Sequence, residues 1–342
     1  MHLLERRLDD SEWLLADGAT GTNLFEAGLQ SGDAPELWNL DSPEKITKLY
    51  QSSVDAGCDI FLTNTFGGNA SRLELHSAQN KVLQINKVAA ELAREVADKS
   101  GRDIIVAGSV GPTGDVFKPV GTMEFDTAVE IFHEQATGLL EGGVDVLWLE
   151  TISAAEEFRA AAAAFARLDA PWCGTMSFDT AGRTMMGLTS NDKVDLVNSL
   201  PNRPMAFCAN CGVGASDLLR TVLGFSSSDN QLPIIAKGNA GIPKYLDGHI
   251  HYDGTPELMG EYACLARDSG AKIIGGCCGT TPKHLAQMRA KLEVREKKQP
   301  PSLSHIAENL GEFSSPTDGS EPETNSAQNR LLSLIHISEP TR

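Results

Sequence analysis

Short apolar segments rich in leucine, isoleucine and valine recur along most of the chain, and each ends in a polar or glycine-rich turn. Runs of this length, bounded by turn signals, are typical of buried strands. Because the segments are apolar throughout rather than alternating, they favour parallel strands that are covered on both faces. The eight predicted strands lie at residues 13–16, 59–62, 104–107, 144–149, 172–177, 205–208, 233–237 and 272–274.

Between most of these segments, apolar residues recur at the three- and four-residue spacing of an amphipathic helix. Residues 43–56 illustrate the pattern, since Ile46, Leu49, Tyr50 and Val54 share one helical face. The stretch 154–168 is rich in alanine, the residue with the highest intrinsic helix propensity. The other predicted helices cover residues 73–97, 123–140, 256–269 and 282–298.

Strands that alternate with helices eight times predict an α/β protein with the architecture of a (β/α)8 TIM barrel, which typically needs about 250 residues. A doubly wound open sheet is the alternative. That fold would carry a Gly-x-Gly-x-x-Gly loop after its first strand, and the segment Asp17–Thr22 does not have this spacing. The barrel is therefore predicted to form one domain over residues 1–299.

Beyond this domain the composition changes. Residues 300–342 are rich in serine, proline, glutamate and asparagine and contain few apolar residues, which predicts a disordered tail. The last ten residues, 333–342, resemble translated sequencing-adaptor sequence. We treat this as a hypothesis that resequencing the 3′ end of the gene would test.

Charge and cysteine content narrow the class of protein. The 342 residues carry a formal net charge of -17, which argues against binding to nucleic acid or to anionic membrane surfaces. The chain has no apolar signal segment at its start and no apolar run long enough to span a bilayer. We therefore expect a cytoplasmic protein. In that reducing compartment, clusters among its seven cysteines indicate metal binding or catalysis rather than disulfides.

Polar residues follow the predicted strands at the position where barrel enzymes carry their active sites, the C-terminal strand ends. A purely structural protein would have little reason to place two carboxylates and three thiols there. This convergence predicts an active site. The residues at these positions are Asp17, Asn64, Ser109, Glu150, Ser177, Cys211, Asn239, Cys277 and Cys278.

Three of these residues suit a metal. Cys277 and Cys278 are adjacent in a glycine-rich turn, so an ordinary disulfide between them would be strained. Together with Cys211, they supply three thiolates from two strand ends. Such a set predicts a zinc ion with one open position, the mark of a catalytic rather than a structural site. Cys208 should face the helix layer, because residues three apart on a strand point to opposite faces.

Other readings of the cysteines remain open. The three thiols could be unconnected, they could form a closed structural zinc site, or Cys208 and Cys211 could carry redox chemistry as a C-x-x-C pair. The remaining cysteines lie in apolar segments and are interpreted as small core residues. They are Cys58, Cys173 and Cys264.

The strand-end carboxylates indicate the kind of substrate. Each alone could be a helix N-cap, but Asp17 and Glu150 at one barrel mouth would make an anionic pocket for an ammonium group. The backbone N–H groups from Gly18 through Ala19 and Thr20 could receive a carboxylate. An amino acid carries both groups.

Two polar features stay ambiguous. Asn239 could serve turn chemistry, or its amide oxygen could meet the substrate or the open zinc position. His249 and His251 could form a metal pair, but their polar, glycine-containing loop favours solvent exposure.

These residues resemble the homocysteine S-methyltransferase family over residues 14–292. That family includes betaine–homocysteine methyltransferase, the S-methylmethionine-dependent enzymes and the homocysteine module of cobalamin-dependent methionine synthase. The resemblance implies zinc ligation by Cys211, Cys277 and Cys278, and ammonium contacts from Asp17 and Glu150. Asn239 matches the family's Asn-Ala-Gly element. The most specific segments are Asp17–Thr22, Thr63–Phe66, Glu150–Thr151, Asn210–Gly212 and Gly275–Thr280.

The family implies a reaction in which the zinc-bound thiolate of homocysteine accepts a methyl group from betaine or another onium donor and becomes methionine. A free thiol with a pKa near 8.5 is mostly protonated at neutral pH, and zinc removes that proton. The catalytic set is then Cys211, Cys277, Cys278 and Glu150.

The methyl donor and the oligomeric state are left open by the sequence. Trp38 lies where an aromatic ring could hold a quaternary ammonium, whereas the segment Gly67–Asn69 is closer to the methionine synthase module. One alternative is the homocysteine-activating subunit of a split methionine synthase, which would meet a separate methylcobalamin protein. An alternative of another class is a non-catalytic zinc-binding barrel. Homo-oligomerisation is compatible with either.

Overall fold

The computed structural model describes residues 2–179, 182–228, 230–241, 244–246 and 249–314, with only the backbone described for 244–246 and 249–251. Eight parallel strands form one sheet. They are β1 (Leu14–Leu15), β2 (Ile60–Leu62), β3 (Ile105–Val110), β4 (Val146–Ile152), β5 (Trp172–Met176), β6 (Ala206–Cys211), β7 (Ile234–Gly238) and β10 (Ala271–Gly276). Two further strands, β8 (Lys244–Leu246) and β9 (His249–His251), form an antiparallel hairpin.

The strand order is that of a closed barrel. The sheet runs β1-β10-β7-β6-β5-β4-β3-β2, and a parallel bridge between Ala16 and Ile60 connects its two ends. Each predicted apolar segment overlaps one barrel strand, so the predicted (β/α)8 fold is confirmed. The apolar runs were informative because both faces of every strand are buried.

Helices surround the barrel at the positions that the amphipathic pattern predicts. The predicted helix over residues 73–97 is divided into two helices, and Ser77 in the connection between them adopts a left-handed conformation with φ of 55°. The helices are α1 (Leu3–Asp10), α2 (Gly21–Glu26), α3 (Trp38–Asp41), α4 (Pro43–Asp55), α5 (Ala70–Glu74), α6 (Val82–Lys99), α7 (Phe125–Glu141), α8 (Ala155–Arg167), α9 (Ser190–Asn198), α10 (Ala215–Ser226), α11 (Pro256–Asp268), α12 (Pro282–Val294) and α13 (Leu303–Leu310), with 3₁₀ turns at Pro35–Leu37 and Gln79–Lys81.

The barrel interior is a packed apolar core. Alternate residues from all eight strands pack together there, including Trp148 of β4 and Ile235 of β7. Leu4 and Leu8 of α1 belong to the same cluster, so this helix covers one end of the barrel. Because the interior is filled, the chemistry is confined to the strand ends. None of the helices in the described part of the chain has the length and apolar content needed to cross a bilayer.

Part of the segment predicted to be disordered is folded, so that prediction is wrong for the residues up to 314. Helix α13 begins after Ser302, whose side chain accepts the N–H of His305 at 3.2 Å. Ile306 is fully buried and Leu310 is 9% exposed, in contact with α10 and α11. Two apolar residues four apart in a polar segment give a weak sequence signal. Residues 315–342, including the suspected adaptor sequence, lie outside the described residues.

Polar contacts fasten the end of this segment to α10. Ser216 Oγ donates to the carbonyl of Gly311 at 2.6 Å. The backbone N–H of Ser314 donates to Asp217 Oδ2 at 3.0 Å. Since α10 follows directly on the Cys211 loop, the docked segment supports a helix that borders the predicted site.

Replacing Ile306 with alanine is expected to lower the free energy of unfolding by about 2 to 4 kcal/mol, because the change removes buried methyl groups from a packed interface. Leu303→Ala on the same helix is the control. Leu303 is 48% exposed, and its truncation should cost less than about 0.5 kcal/mol. Urea unfolding monitored by circular dichroism would measure both. Equal effects of the two substitutions would contradict docking of α13.

A lysine is buried between α9 and the barrel. Lys193 Nζ donates to the carbonyl oxygens of Gly174 and Cys208 at 3.2 and 2.7 Å, and it lies 4.9 Å from the ring centre of Phe158. Burial lowers the pKa of Lys193 to about 7, although the Cys208 thiol acts in the opposite direction. Folding therefore favours loss of this proton.

This lysine gives stability a defined pH dependence. Between pH 7 and the ordinary lysine pKa of 10.5, the unfolded chain binds more protons than the folded chain. The contribution of Lys193 to stability therefore increases with pH across this window, by about 1 kcal/mol per pH unit. Lys193→Met should lose this increase. Urea unfolding of both proteins at pH 7.5 and 9 isolates the effect, because thiol ionisation in the unfolded chain is common to both. Parallel pH profiles would contradict the expectation.

Candidate active site

Strands β6, β7 and β10 bring the three predicted metal ligands to one edge of the barrel. Cys211 is paired with Gly238 of β7, and Gly238 is paired with Gly276 of β10. The backbone N–H of Cys277 donates to the carbonyl of Gly238 at 2.7 Å. The register therefore places Cys211 and the Cys277–Cys278 turn on either side of the end of β7.

The sulfurs of these three cysteines form a cluster. Their Sγ atoms all lie within 4.8 Å of one another, and those of Cys211 and Cys278 are 3.8 Å apart. This arrangement excludes three unconnected thiols and could hold a metal ion. Cys208 is outside the cluster and fully buried in the core, as predicted. Cys58, Cys173 and Cys264 are likewise buried free thiols.

The backbone is strained where β6 ends. Cys211 has a φ of 62°, in the left-handed region that side chains other than glycine rarely adopt. Such a conformation costs on the order of 1 kcal/mol and persists only when surrounding contacts impose it. Here it turns the chain out of the strand at the residue that contributes a sulfur to the cluster.

Asn239 supplies contacts that impose this geometry. Its Oδ1 accepts the N–H of Cys278 at 3.0 Å, and its Nδ2 donates to the carbonyl of Gly212 at 2.8 Å. The carbonyl of Cys278 in turn accepts the N–H of Ala240 at 2.9 Å. The buried Asn239 side chain therefore connects the two cysteine-bearing loops. These contacts give Asn239 a positioning role, whereas the sequence offered turn chemistry or a contact with the substrate or the metal.

A second buried amide, Asn210, lies in a segment that carries the family resemblance, but the sequence assigned it no role of its own. Its Oδ1 accepts the N–H of Thr151 at 2.9 Å and the hydroxyl of Thr175 at 2.7 Å. Its Nδ2 donates to Thr151 Oγ1 at 2.7 Å and lies 3.8 Å from the Cys277 sulfur. Asn210 thus ties the ends of β4 and β5 to the thiol cluster.

Asp17 is paired within the protein, so the predicted anionic pocket already contains one cation of its own. Its Oδ1 lies 2.7 Å from Lys237 Nζ, and its Oδ2 accepts the N–H of Leu62 at 2.8 Å. Both members of the ion pair are buried. Burial raises the pKa of Asp17, and the Lys237 ammonium opposes that shift. Burial would lower the pKa of Lys237, but Asp17 and Glu150 raise it above its ordinary value.

Lys237 is another residue at this site to which the sequence assigned no role. It follows an apolar run on β7, and a fully buried lysine on a barrel strand is unusual. Its Nζ lies 5.8 Å from the ring centre of Trp148 inside the barrel. The alternation of side chains along β7 could have predicted its burial. Ile235 faces the barrel interior, and Lys237, two residues later, lies on the same face of the strand.

Glu150 lies at the end of β4 and accepts a hydrogen bond from the Ser109 hydroxyl at 2.5 Å. Burial raises the pKa of Glu150 to about 7, Lys237 lowers it, and the neighbouring Cys277 sulfur raises it further. The next residue, Thr151, has a φ of 63°. Glu150 is thus a desolvated carboxyl close to the thiols, where a second ammonium group would favour its ionised form.

The turn after β1 packs against the cysteine turn through Thr280. The backbone N–H of Ala19 donates to Thr280 Oγ1 at 3.0 Å. A Cβ on Gly18 would lie only 2.4 Å from the same oxygen. The backbone N–H of Ala19 is therefore already used within the protein. The predicted hydrogen bonds to a substrate carboxylate would come from the N–H groups of Gly18 and Thr20.

Several other predicted residues have local roles. Asn64 Nδ2 donates to the carbonyl of Pro35 at 2.8 Å, and the Ser177 hydroxyl donates to Asp179. Lys45 Nζ lies 4.0 Å from the ring centre of Trp38. The side chains of His249 and His251 lie outside the described residues.

The fold and the site together define the class: a (β/α)8-barrel protein that gathers three thiols and two buried carboxyls at the C-terminal ends of its strands. A family model described as homocysteine S-methyltransferase matches residues 14–292. The chain belongs to this family and is a methyltransferase, which confirms the resemblance inferred from its motifs.

Crystal structures of the homocysteine methyltransferase MmuM from Escherichia coli are similar in fold. The metallated form matches with a TM-score of 0.71 and 23% identity over 84% of this chain and 99% of MmuM. The oxidized form matches with a TM-score of 0.72 and 23% identity over 85% of this chain and 100% of MmuM.

Proposed function

We propose that this chain is a zinc-dependent homocysteine S-methyltransferase that forms methionine with betaine or another onium compound as methyl donor. The observation that carries the proposal is the cluster of Cys211, Cys277 and Cys278. With zinc–sulfur distances of about 2.3 Å, two sulfurs of a tetrahedral site lie about 3.8 Å apart. The separation of the Cys211 and Cys278 sulfurs is 3.8 Å, which matches this spacing, and all three sulfurs lie within 4.8 Å of one another.

The three cysteines would hold the zinc ion and leave one position for the substrate. Bound zinc supplies Lewis acidity that keeps a thiol deprotonated, and hence nucleophilic, at neutral pH. The protein supplies order. Asn239 fixes the two cysteine loops relative to each other, and Asn210 donates toward the Cys277 sulfur. Preset positions reduce the reorganisation needed when the donor and acceptor meet.

Glu150 is proposed to bind the homocysteine ammonium group. Burial disfavours the ionised form of this carboxyl, and a substrate ammonium group placed beside it would stabilise that form. Asp17 is already paired with Lys237. It is proposed to be the second carboxylate of the pocket that binds the ammonium group. The turn formed by Gly18, Ala19 and Thr20 is proposed to face the substrate carboxylate.

An onium donor suits this site for a chemical reason. A trimethylammonium or sulfonium group leaves as a neutral molecule after losing its methyl group, so no general acid is needed. Trp38 is the proposed aromatic contact for such a cation. The Lys45 ammonium 4.0 Å from its ring centre is consistent with a ring face that attracts cations.

A cytoplasmic location is part of the proposal. All seven cysteines are free thiols in this structure, and a thiolate metal site needs reduced sulfur. A reducing compartment preserves that state.

Methionine formation by the zinc-loaded protein tests the function. Homocysteine would be supplied in parallel with betaine, S-methylmethionine, dimethylsulfoniopropionate or free methylcobalamin. Turnover with one of the onium donors is expected and would identify the donor. Calorimetric titration with homocysteine alone provides a separate readout of substrate binding.

The remaining outcomes separate the alternatives. Turnover with methylcobalamin alone would replace the onium proposal with the split methionine synthase and its separate methylcobalamin protein. Zinc and homocysteine binding without turnover would exclude all four donors. Absence of homocysteine binding by the zinc-loaded protein would overturn the substrate assignment.

A further inference from the structure

Tyr252 lies directly against the cysteine turn, although no motif drew attention to it. It follows the β8–β9 hairpin and precedes α11. Its side chain covers Gly279, where a Cβ would lie 2.3 Å from Tyr252 Cγ and 2.5 Å from Tyr252 Cβ. Gly279 also has a φ of 78°. The tyrosine can approach this closely because residue 279 has no side chain.

Backbone contacts fix the segment that carries Tyr252. The N–H of Gly254 donates to the carbonyl of Ala240 at 2.8 Å. The carbonyl of Gly254 lies 2.8 Å from His284 Nε2, and His284 Nδ1 lies 3.0 Å from the N–H of Thr281. Because Nδ1 accepts that hydrogen bond, Nε2 carries the ring proton and donates to Gly254. The segment is therefore held between the Asn239 loop and the start of α12.

The side chain of Tyr252 lies beside the thiol cluster. Its ring packs on Gly279, the residue next to Cys278, and its hydroxyl interacts with the Cys278 side chain, whose sulfur is 3.8 Å from that of Cys211. A sulfur that serves as a thiolate ligand has no proton to give, so the tyrosine O–H is the donor. Three thiolates around a divalent cation leave a net negative charge, which a hydroxyl donor partly offsets.

We propose that Tyr252 is a positioning residue that donates a hydrogen bond to the Cys278 sulfur and thereby tunes the thiolate metal site. The inference rests on the metal site of the proposed function and adds a residue from outside the barrel strands. Residues that hydrogen-bond to metal ligands commonly contribute 10- to 100-fold to the affinity for the metal. The ring of Tyr252 stacks on the cysteine turn, and its hydroxyl sets the charge on one ligand.

Metal affinity of Tyr252→Phe tests the proposal without depending on turnover. Phenylalanine keeps the ring over Gly279 but cannot donate to Cys278. Zinc affinity, measured by competition with a chelator, is expected to fall about 10-fold. With cobalt in place of zinc, the sulfur-to-cobalt charge-transfer band should move to lower energy, because a sulfur without the hydrogen bond gives up electron density more readily.

Tyr262→Phe is the matched control, because it removes another tyrosine hydroxyl. Tyr262 belongs to α11 and packs against Gly238 in the core, so its loss should leave the cobalt band unchanged. Gly279→Ala is a second variant, in which the new Cβ would displace the Tyr252 ring while its hydroxyl remains. It should reproduce the spectral change of Tyr252→Phe.

Two results would overturn the inference in distinguishable ways. If the wild-type protein binds zinc and Tyr252→Phe matches it in affinity and in the cobalt band, Tyr252 does not act on the ligand, while the proposed function stands. If the wild-type protein binds neither metal, the proposed function fails together with the inference.

Discussion

Cys277→Ala is expected to reduce methyl transfer by at least about a hundredfold while the barrel remains folded. Loss of a direct metal ligand should have a larger effect than loss of a residue that hydrogen-bonds to a ligand, which typically lowers metal affinity or activity 10- to 100-fold. Only two of the three clustered sulfurs would remain. Because Cys277 is only half-buried and lies in a turn at the strand end, its truncation opens little space in the barrel core.

Three measurements on this variant separate catalysis from a structural metal site. Zinc content and methionine formation report the site, and circular dichroism with thermal unfolding reports the fold. Cys264→Ala is the control, since this thiol is fully buried on α11 outside the cluster. The control should retain zinc and activity. Unfolding of Cys277→Ala together with loss of zinc would instead favour the closed structural site.

Lys237→Met is expected to lower the free energy of unfolding by about 3 to 5 kcal/mol, because it leaves the buried Asp17 carboxylate without its partner. The two groups are 2.7 Å apart and nearly inaccessible to solvent. Adding Asp17→Asn to this background should recover part of the loss, since the amide carries no charge. Urea unfolding of the wild type, both single variants and the double variant gives the coupling energy.

The pH dependence of this variant has a definite sign. Burial raises the pKa of Asp17, and removal of the ammonium raises it further. A carboxyl whose pKa is higher in the folded state favours folding while it is protonated and loses that contribution as pH rises. Lys237→Met should therefore be less destabilised at pH 5 than at pH 8.

A surface ion pair provides the comparison for Lys237. Lys99 pairs with Glu95 one helical turn away on α6, and both side chains are mostly exposed. Lys99→Met should cost less than about 1 kcal/mol, because exposed pairs are well solvated. If Lys237→Met cost no more than this, the buried pair would not be compensating the charge of Asp17.

The sequence by itself determined the fold class, the eight strands and the identity of the thiol cluster. Buried parallel strands and amphipathic helices leave periodic patterns that depend on nearby residues. Barrel topology then requires strand ends to meet at one edge. Cys211, Cys277 and Cys278 could be grouped for that reason, although the first two lie 66 positions apart.

Only the tertiary structure decided which side chains meet. The pairing of Asp17 with Lys237 joins residues 220 positions apart, and it depends on the register around the closed barrel. The contact of Tyr252 with Gly279 depends on how the segment after the hairpin packs, and α13 is held by a surface that α10 and α11 create together. Local patterns report burial and direction along one element. Partners across the barrel are set by the relative positions of several elements, which no single stretch of sequence encodes.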